Sequence, residues 1–279
     1  METRKQILGE IRSGELIGRV ALVTGGSKGI GKVIALSLGR AGADIVICGR
    51  DEGALKRTAK EIDDLDSRAY THALDATKLE EVRSFFERTI SSIGRLDILV
   101  NNLGGVRQFA KFTDLTDSHW YEVFDTNLMT AVRFTREAIP WLEKSAHARI
   151  VNIASVAGKQ PGDWNPHYGA VKAGVIHLSK SLARYLGPKG VRVNAICSST
   201  VKGEGAWARD VRSKAHMEGI SAEEAEAAME RTARAKAPLG EIGAPQDIAE
   251  LVAFLASDRA RFITGTCIQV DGGTVSSIF

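Results

Sequence analysis

Residues 20–31 read Val20-Ala21-Leu22-Val23-Thr24-Gly25-Gly26-Ser27-Lys28-Gly29-Ile30-Gly31, an apolar run that turns through clustered glycines into an amphipathic stretch over 29–41. Where a strand runs straight into a helix, such glycines have physical roles. They allow a tight turn, a backbone that comes close to a ligand, and close packing of helix on strand. The helix begun there presents free N–H groups and partial positive charge to phosphate. The stretch predicts a βα unit whose turn, Gly25, Gly26, Ser27, Lys28, Gly29, Ile30 and Gly31, cradles a nucleotide pyrophosphate.

Similar apolar runs rich in Val and Ile recur at 45–48, 96–100, 150–153 and 191–196, with a weaker one at 69–74 and a last one at 267–270. They are nearly continuous rather than alternating, as parallel strands covered on both faces are. Helical patterns fill 52–65, 79–93, 119–142 and 168–186. This alternation predicts right-handed βαβ units and one doubly wound α/β domain over 18–279, preceded by an arm over 1–17. Residues 203–237 break the alternation as a charged helical insertion. In it Ser221-Ala222-Glu223-Glu224 opens a helix with acidic residues in its first turn. Long insertions on the ligand side of such sheets are often lids.

Composition excludes several classes. With 279 residues, 44% hydrophobic and 25% charged, the chain sits at the globular average, which disfavours disorder and coiled coil. No apolar stretch approaches the ~18 residues of a membrane span, and Met1–Gln6 lacks a signal-peptide core, so a cytoplasmic location is expected. Cys48, Cys197 and Cys267 are too scattered for a disulfide framework, and His72, His119, His147, His167, His177 and His216 form no metal set. A balance of 37 basic and 34 acidic residues is too even for a nucleic-acid footprint.

The end of the second strand bears on the cofactor. NAD sites place a carboxylate there, about 20 residues past the glycines, to hold the ribose 2′-hydroxyl. Here Gly49 and Arg50 occupy the position, and Lys28 sits in the glycine turn. Two cations favour a 2′-phosphate, hence NADP(H) over NAD(H), although Asp51 and Glu52 follow directly as the first turn of the next helix. NAD(H) stays the alternative.

Tyr168 and Lys172 stand four apart on one helical face, thirteen and more residues after Ser155 at the end of a strand. A phenol with a pKa near ~10 exchanges protons poorly at neutral pH, and an ammonium one turn away would lower that pKa. Taken with the glycine turn, Asp75, Asn101-Asn102-Leu103-Gly104, Asn127, Val191-Arg192-Val193-Asn194 and Val270-Asp271-Gly272-Gly273, the chain resembles the short-chain dehydrogenase/reductase family of the single-domain type. The resemblance runs from Gly18 to Gly273 and implies a Rossmann fold with a seven-stranded parallel sheet in the order 3-2-1-4-5-6-7. It implies Tyr168 as acid/base, Ser155 holding the substrate oxygen, Lys172 on the nicotinamide ribose, and Asn127 anchoring a relay water. It further implies Asp75 and Ala76 at the adenine, Asn102 and Gly104 beside the adenosine ribose, and Val201 at the carboxamide. Hydride exchange between a nicotinamide and a carbonyl or alcohol carbon follows, as does assembly as a homotetramer or dimer.

The sequence departs from the family pattern on the nicotinamide side. Ser198-Ser199 stands where the family usually has Pro-Gly, Gly203 where a threonine is common, and Leu103 where alanine is usual. The loop that carries Ser199 is therefore expected to follow a different path or to be more mobile. Residues 104–108, 155–162 and 198–201 are expected to line the substrate pocket. Candidate contacts are Gly105, Arg107 for an anionic group, Trp164 for a flat or apolar one (or as a loop anchor), Ser199, and Trp207 from the insertion. His167 reads as structural, and Cys197 and Cys267 as small buried hydrophobes. A 3-oxoacyl thioester and a secondary alcohol are both open as substrates. A catalytically silent NADP(H)-binding protein is the reading from another class, and the presence of Ser155, Tyr168 and Lys172 together argues against it.

Overall fold

The continuous apolar runs become strands buried on both faces. In the computed structural model, which describes residues 14–276, seven strands form one parallel sheet ordered β3-β2-β1-β4-β5-β6-β7. They are β1 Val20–Thr24, β2 Asp44–Gly49, β3 Ala69–Ala73, β4 Ile98–Asn101, β5 Arg149–Ser155, β6 Arg192–Ser198 and β7 Cys267–Val270. Edge strand β3 is only partly covered, which is why its apolar signal is weak.

Two helical layers cover the sheet. Against one face pack α1 (Gly29–Arg40), α2 (Glu52–Asp63) and α10 (Pro245–Ala256), through Ile34, Leu38, Leu55, Ile62, Ile248 and Leu255. Against the other pack α3 (Leu79–Phe85), α6 (Thr130–Leu142) and α7 (Pro166–Leu186), through Phe85, Phe134, Leu142 and Leu186. Two of the expected helices carry a π-turn. Phe86–Ile90 joins α3 to α4 (Ser91–Ile93), and Asp125–Met129 joins α5 (Asp117–Phe124) to α6. Such turns often mark functional positions, and the second contains Asn127.

β4 starts two residues later than its apolar run. Asp97 is fully buried and accepts from Val20 N at 2.8 Å, Arg95 Nε at 2.9 Å and Ser145 Oγ. Burial works to raise its pKa, but Arg95, Ser145 and the Val20 amide hold the carboxyl below the usual range. Its side chain ties β1 to the segments that lead into β4 and β5, while its main chain bonds Val20 O and Arg149 N on either side.

The insertion folds as α8 (Ala206–Glu218) and α9 (Ala222–Lys236), with a small core of Trp207, Val211 and Ala225. Ser221 caps α9 reciprocally with Glu224. Of the expected N-terminal arm, residues 1–13 lie outside the described residues, as do residues 277–279 at the other end of the chain. Among the described residues no helix is long and apolar enough to cross a membrane, and no group of three His, Cys, Asp or Glu side chains is placed to hold a metal.

Candidate active site

The carboxyl ends of β1, β4, β5 and β6 carry the candidate residues, the edge where doubly wound sheets bind ligands. Thr24 leads β1 into the glycine turn, and Gly25 takes φ +67°. A Cβ on Gly31 would lie 2.3 Å from Gly25 O and 2.4 Å from Asn102 Nδ2, so helix and turn pack too closely for a side chain there. Asn102 locks the turn to β4: its N–H donates to Thr24 Oγ1 at 2.9 Å and its Nδ2 to Thr24 O at 3.0 Å. α1 begins with no side-chain cap and no acidic residue in its first turn. Its first N–H groups and positive end therefore fit a pyrophosphate.

At the other end of the groove a cavity of about 440 Å³ is lined by Gly49, Arg50, Asp75, Ala76, Leu103 and Gly104, among others. Asp75 Oδ1 accepts from the N–H and Oγ1 of Thr77 at 3.0 and 2.8 Å, and those bonds hold its pKa down. Arg50 faces it from β2. Lys28 is not the free cation that the sequence suggests. Its ammonium pairs with Asp51 Oδ2 at 2.6 Å, while Asp51 Oδ1 caps α2 through Ala54 N at 2.9 Å. A 2′-phosphate would draw Lys28 away from an exposed pair of small worth.

Tyr168 and Lys172 line an adjoining cavity of about 250 Å³ with the glycine turn, Asn102, Gly105, Ser198, Val201 and Trp207. The two cavities share Leu103, Gly104 and Gly105. α7 delivers Tyr168 from a helix start with a local cause. Asn165 takes the left-handed conformation, φ +59°, trades hydrogen bonds with the main chain of Ala110, and is followed by Pro166 at the first helical position. The Ser155 side chain acts on the Tyr168 phenol. Lys172 is buried, its Nζ donating to Ile153 O at 3.0 Å and standing 5.6 Å from the Tyr168 ring.

The electrostatics differ from the sequence expectation. Burial pushes the Tyr168 pKa up, and Ser155 is the main group opposing it. Burial also draws the Lys172 pKa down to about 8, because its ammonium faces a carbonyl and no carboxylate. Two desolvated groups thus each disfavour their own charge.

Asn127 donates from Nδ2 to Gly105 O at 2.8 Å and Val123 O at 2.9 Å, and its Oδ1 accepts from Gly105 N at 2.8 Å. A Cβ on Gly104 would lie 2.4 Å from Asn127 Oδ1 and 3.2 Å from Lys172 Nζ. The amide is engaged in clasping the 104–105 loop, a positioning role.

The expected substrate contacts separate. Gly105 and Arg107 line the larger cavity, and Arg107 pairs with Glu122 at 3.1 Å. Trp207 reaches the smaller cavity, yet it is buried in the insertion core with its indole N–H on Glu226 at 2.9 Å, so it braces the two helices. Trp164 is exposed beneath Lys111 and lies on neither cavity wall. Ser199 donates its N–H to Val270 O at 3.3 Å and lines a separate cavity with Asp271 and Leu239, because β6 turns its neighbour Ser198 toward Tyr168 instead. His167 is fully buried against Trp120, and among the described residues neither ring nitrogen has a partner. Arg209 and Asp210, which the sequence did not single out, come from α8 to within electrostatic reach of Tyr168.

This geometry belongs to a nucleotide-binding oxidoreductase fold, and comparison with known proteins agrees. A family model described as enoyl-(acyl carrier protein) reductase matches residues 25–275. The chain is 31% identical to the 3-oxoacyl-[acyl-carrier-protein] reductase of Thermotoga maritima, over 93% of this chain and 99% of that protein. Among solved structures, L-sorbose reductase from Gluconobacter frateurii complexed with NADPH and L-sorbose superposes with a TM-score of 0.87 at 28% identity, covering 94% of this chain and 98% of that one. Carveol dehydrogenase from Mycobacterium avium in complex with NAD gives 0.86 at 28% identity, over 94% and 99%. The chain belongs to the short-chain dehydrogenase/reductase family and is an oxidoreductase of that family.

Proposed function

We propose that the chain is an NADP(H)-dependent reductase or dehydrogenase that interconverts a ketone or aldehyde with its alcohol. The observation that carries this is the convergence of Tyr168 and Lys172 on the cavity that begins at the glycine turn, with Ser155 acting on the Tyr168 phenol. The turn and the α1 N-terminus would hold the pyrophosphate, Asp75 and Ala76 the adenine, Asn102 and Gly104 its ribose, and Val201 the carboxamide. Bound, the nicotinamide supplies or accepts the hydride. In the reducing direction Ser155 donates to the carbonyl oxygen, and Tyr168, kept neutral by its raised pKa, is ready to give that oxygen a proton. The Lys172 ammonium then lies one helical turn from the phenolate left behind and stabilises it.

Arg50, with Lys28 once released from Asp51, supports the NADP(H) assignment. Asp51 itself, a carboxylate two residues past Gly49, favours NAD(H) as the second reading, with the ribose hydroxyls taking the place of Lys28. The named relatives offer a 3-oxoacyl thioester and a ketose as substrate types. Steady-state rates with NADPH and NADH test the assignment. The expected KM for NADPH is at least about tenfold lower, with Arg50→Ala raising it and leaving that for NADH in place. A lower KM for NADH would refute the cofactor choice, and no turnover of any carbonyl with either nucleotide would refute the chemistry.

A further inference from the structure

We propose that the Ser198 hydroxyl is a binding group for the nicotinamide carboxamide, accepting a hydrogen bond from its NH2 group. The inference rests on the nucleotide part of the reading above and adds to it a side-chain contact of this chain's own. Alternation along β6 sets the direction of the side chain. Ile196 packs in the core under α1 and α10, and Cys197 packs on the opposite face with Val175 of α7. Ser198 therefore returns to the α1 side, where the glycine turn lies. Val201, three residues on, packs against that same core. Ser198 and Val201 line one cavity with the glycine turn, Tyr168 and Lys172. Ser155, the register partner of Ser198 on β5, is not on that wall and acts on the Tyr168 phenol instead.

Ser198 is only 8% exposed. Among the described residues its hydroxyl has no hydrogen-bond partner, yet the oxygen is not sealed from solvent. The space it opens on is the cavity. A ligand that fills this cavity displaces the water there, and a hydroxyl then left unpaired is costly. The Val201 N–H also donates to nothing among the described residues, because the bridge to Gly243 uses the N–H of Lys202. The same side of the cavity thus offers a main-chain donor and a hydroxyl. A carboxamide carries an acceptor oxygen and a donor NH2 on one carbon. Val201 N–H can only donate, so it takes the oxygen and leaves the NH2 group to Ser198 Oγ. A proline at 198, the usual family residue, has no such group to offer.

The test is calorimetric titration of the full chain with NADP⁺ and with its 3-acetylpyridine analogue, in which a methyl replaces the carboxamide NH2. NAD⁺ and its own analogue are run in parallel, and no substrate is needed. Ser198→Ala and Ser198→Cys should each raise the Kd of the natural nucleotide about threefold to tenfold. Both should leave the Kd of the analogue within about twofold of the wild type, since the analogue has no NH2 to lose. Equal weakening of nucleotide and analogue would show a role in shaping the strand end and overturn the inference. So would unchanged affinity for both, whether or not the variants alter kcat/KM for a carbonyl compound. Binding of neither natural nucleotide by the wild type would strike the nucleotide reading itself, and the inference with it.

Discussion

Replacing Lys172 by Met should stabilise the cofactor-free protein while abolishing its chemistry. Lys172 is buried with one hydrogen bond, to Ile153 O, and burial draws its pKa from 10.5 to about 8. At ~1.4 kcal/mol per pH unit, holding it charged in the fold costs ~3 kcal/mol at neutral pH. The sign follows from proton counting. Below pH 8 folded and unfolded chains both carry the proton, and the fold bears the full penalty. Between 8 and 10.5 the folded chain has released it and the unfolded chain has not, so stability rises with pH across that window. Met has a similar apolar stem and no charge, and leaving the Ile153 carbonyl without its donor costs about 1 kcal/mol or more. Urea denaturation at about pH 7 should therefore show Lys172→Met more stable than the wild type by about 1–3 kcal/mol, the gap closing near pH 10. A variant less stable at neutral pH, or a difference that does not change with pH, would refute the reasoning.

Gly104→Ala should place a methyl 2.4 Å from Asn127 Oδ1 at φ +154°. Displacing the loop between the two cavities should lower kcat/KM about tenfold or more, read in steady-state assays. Ser221→Ala removes the reciprocal cap of α9 and should cost about 1 kcal/mol locally, seen as faster proteolysis within 203–237. Trp207→Phe loses the bond to Glu226 and should loosen the same helix pair in hydrogen exchange, with NADPH affinity unchanged.

The strands were legible because each central strand is apolar on both faces, and their order was implied by the family resemblance that the glycine turn and the later motifs carry. Tyr168 and Lys172 were legible as a four-residue spacing on one helix, and the chemistry of phenol and ammonium gave that spacing meaning. What escaped has physical reasons. Lys28 and Asp51 are 23 residues apart, and only the fold shows that they neutralise each other. Trp207 is recognisable in sequence as a large apolar residue near the site, but whether it faces the ligand or Glu226 depends on how α8 rolls on α9. Arg209 and Asp210 match no motif, since adjacent opposite charges on a helix are ordinary until Gly105 and Tyr168 are placed beside them. Cys197 and Cys267 are remote in sequence, yet their sulfurs stand 2.9 Å apart because β6 and β7 pair. The departure at Ser199 also resolves, since that side of the loop looks into a different cavity from Tyr168.

The proton donor is the centre of the account, and Tyr168→Phe tests it most directly. The substitution removes one hydroxyl and leaves the ring between Val106, Val123 and Val171. NADPH affinity, read by nucleotide fluorescence, should stay within about threefold of the wild type, while kcat for a reducible carbonyl substrate should fall by about 10²–10⁴-fold. Turnover retained with the nucleotide still bound would contradict the assignment of Tyr168 as the acid.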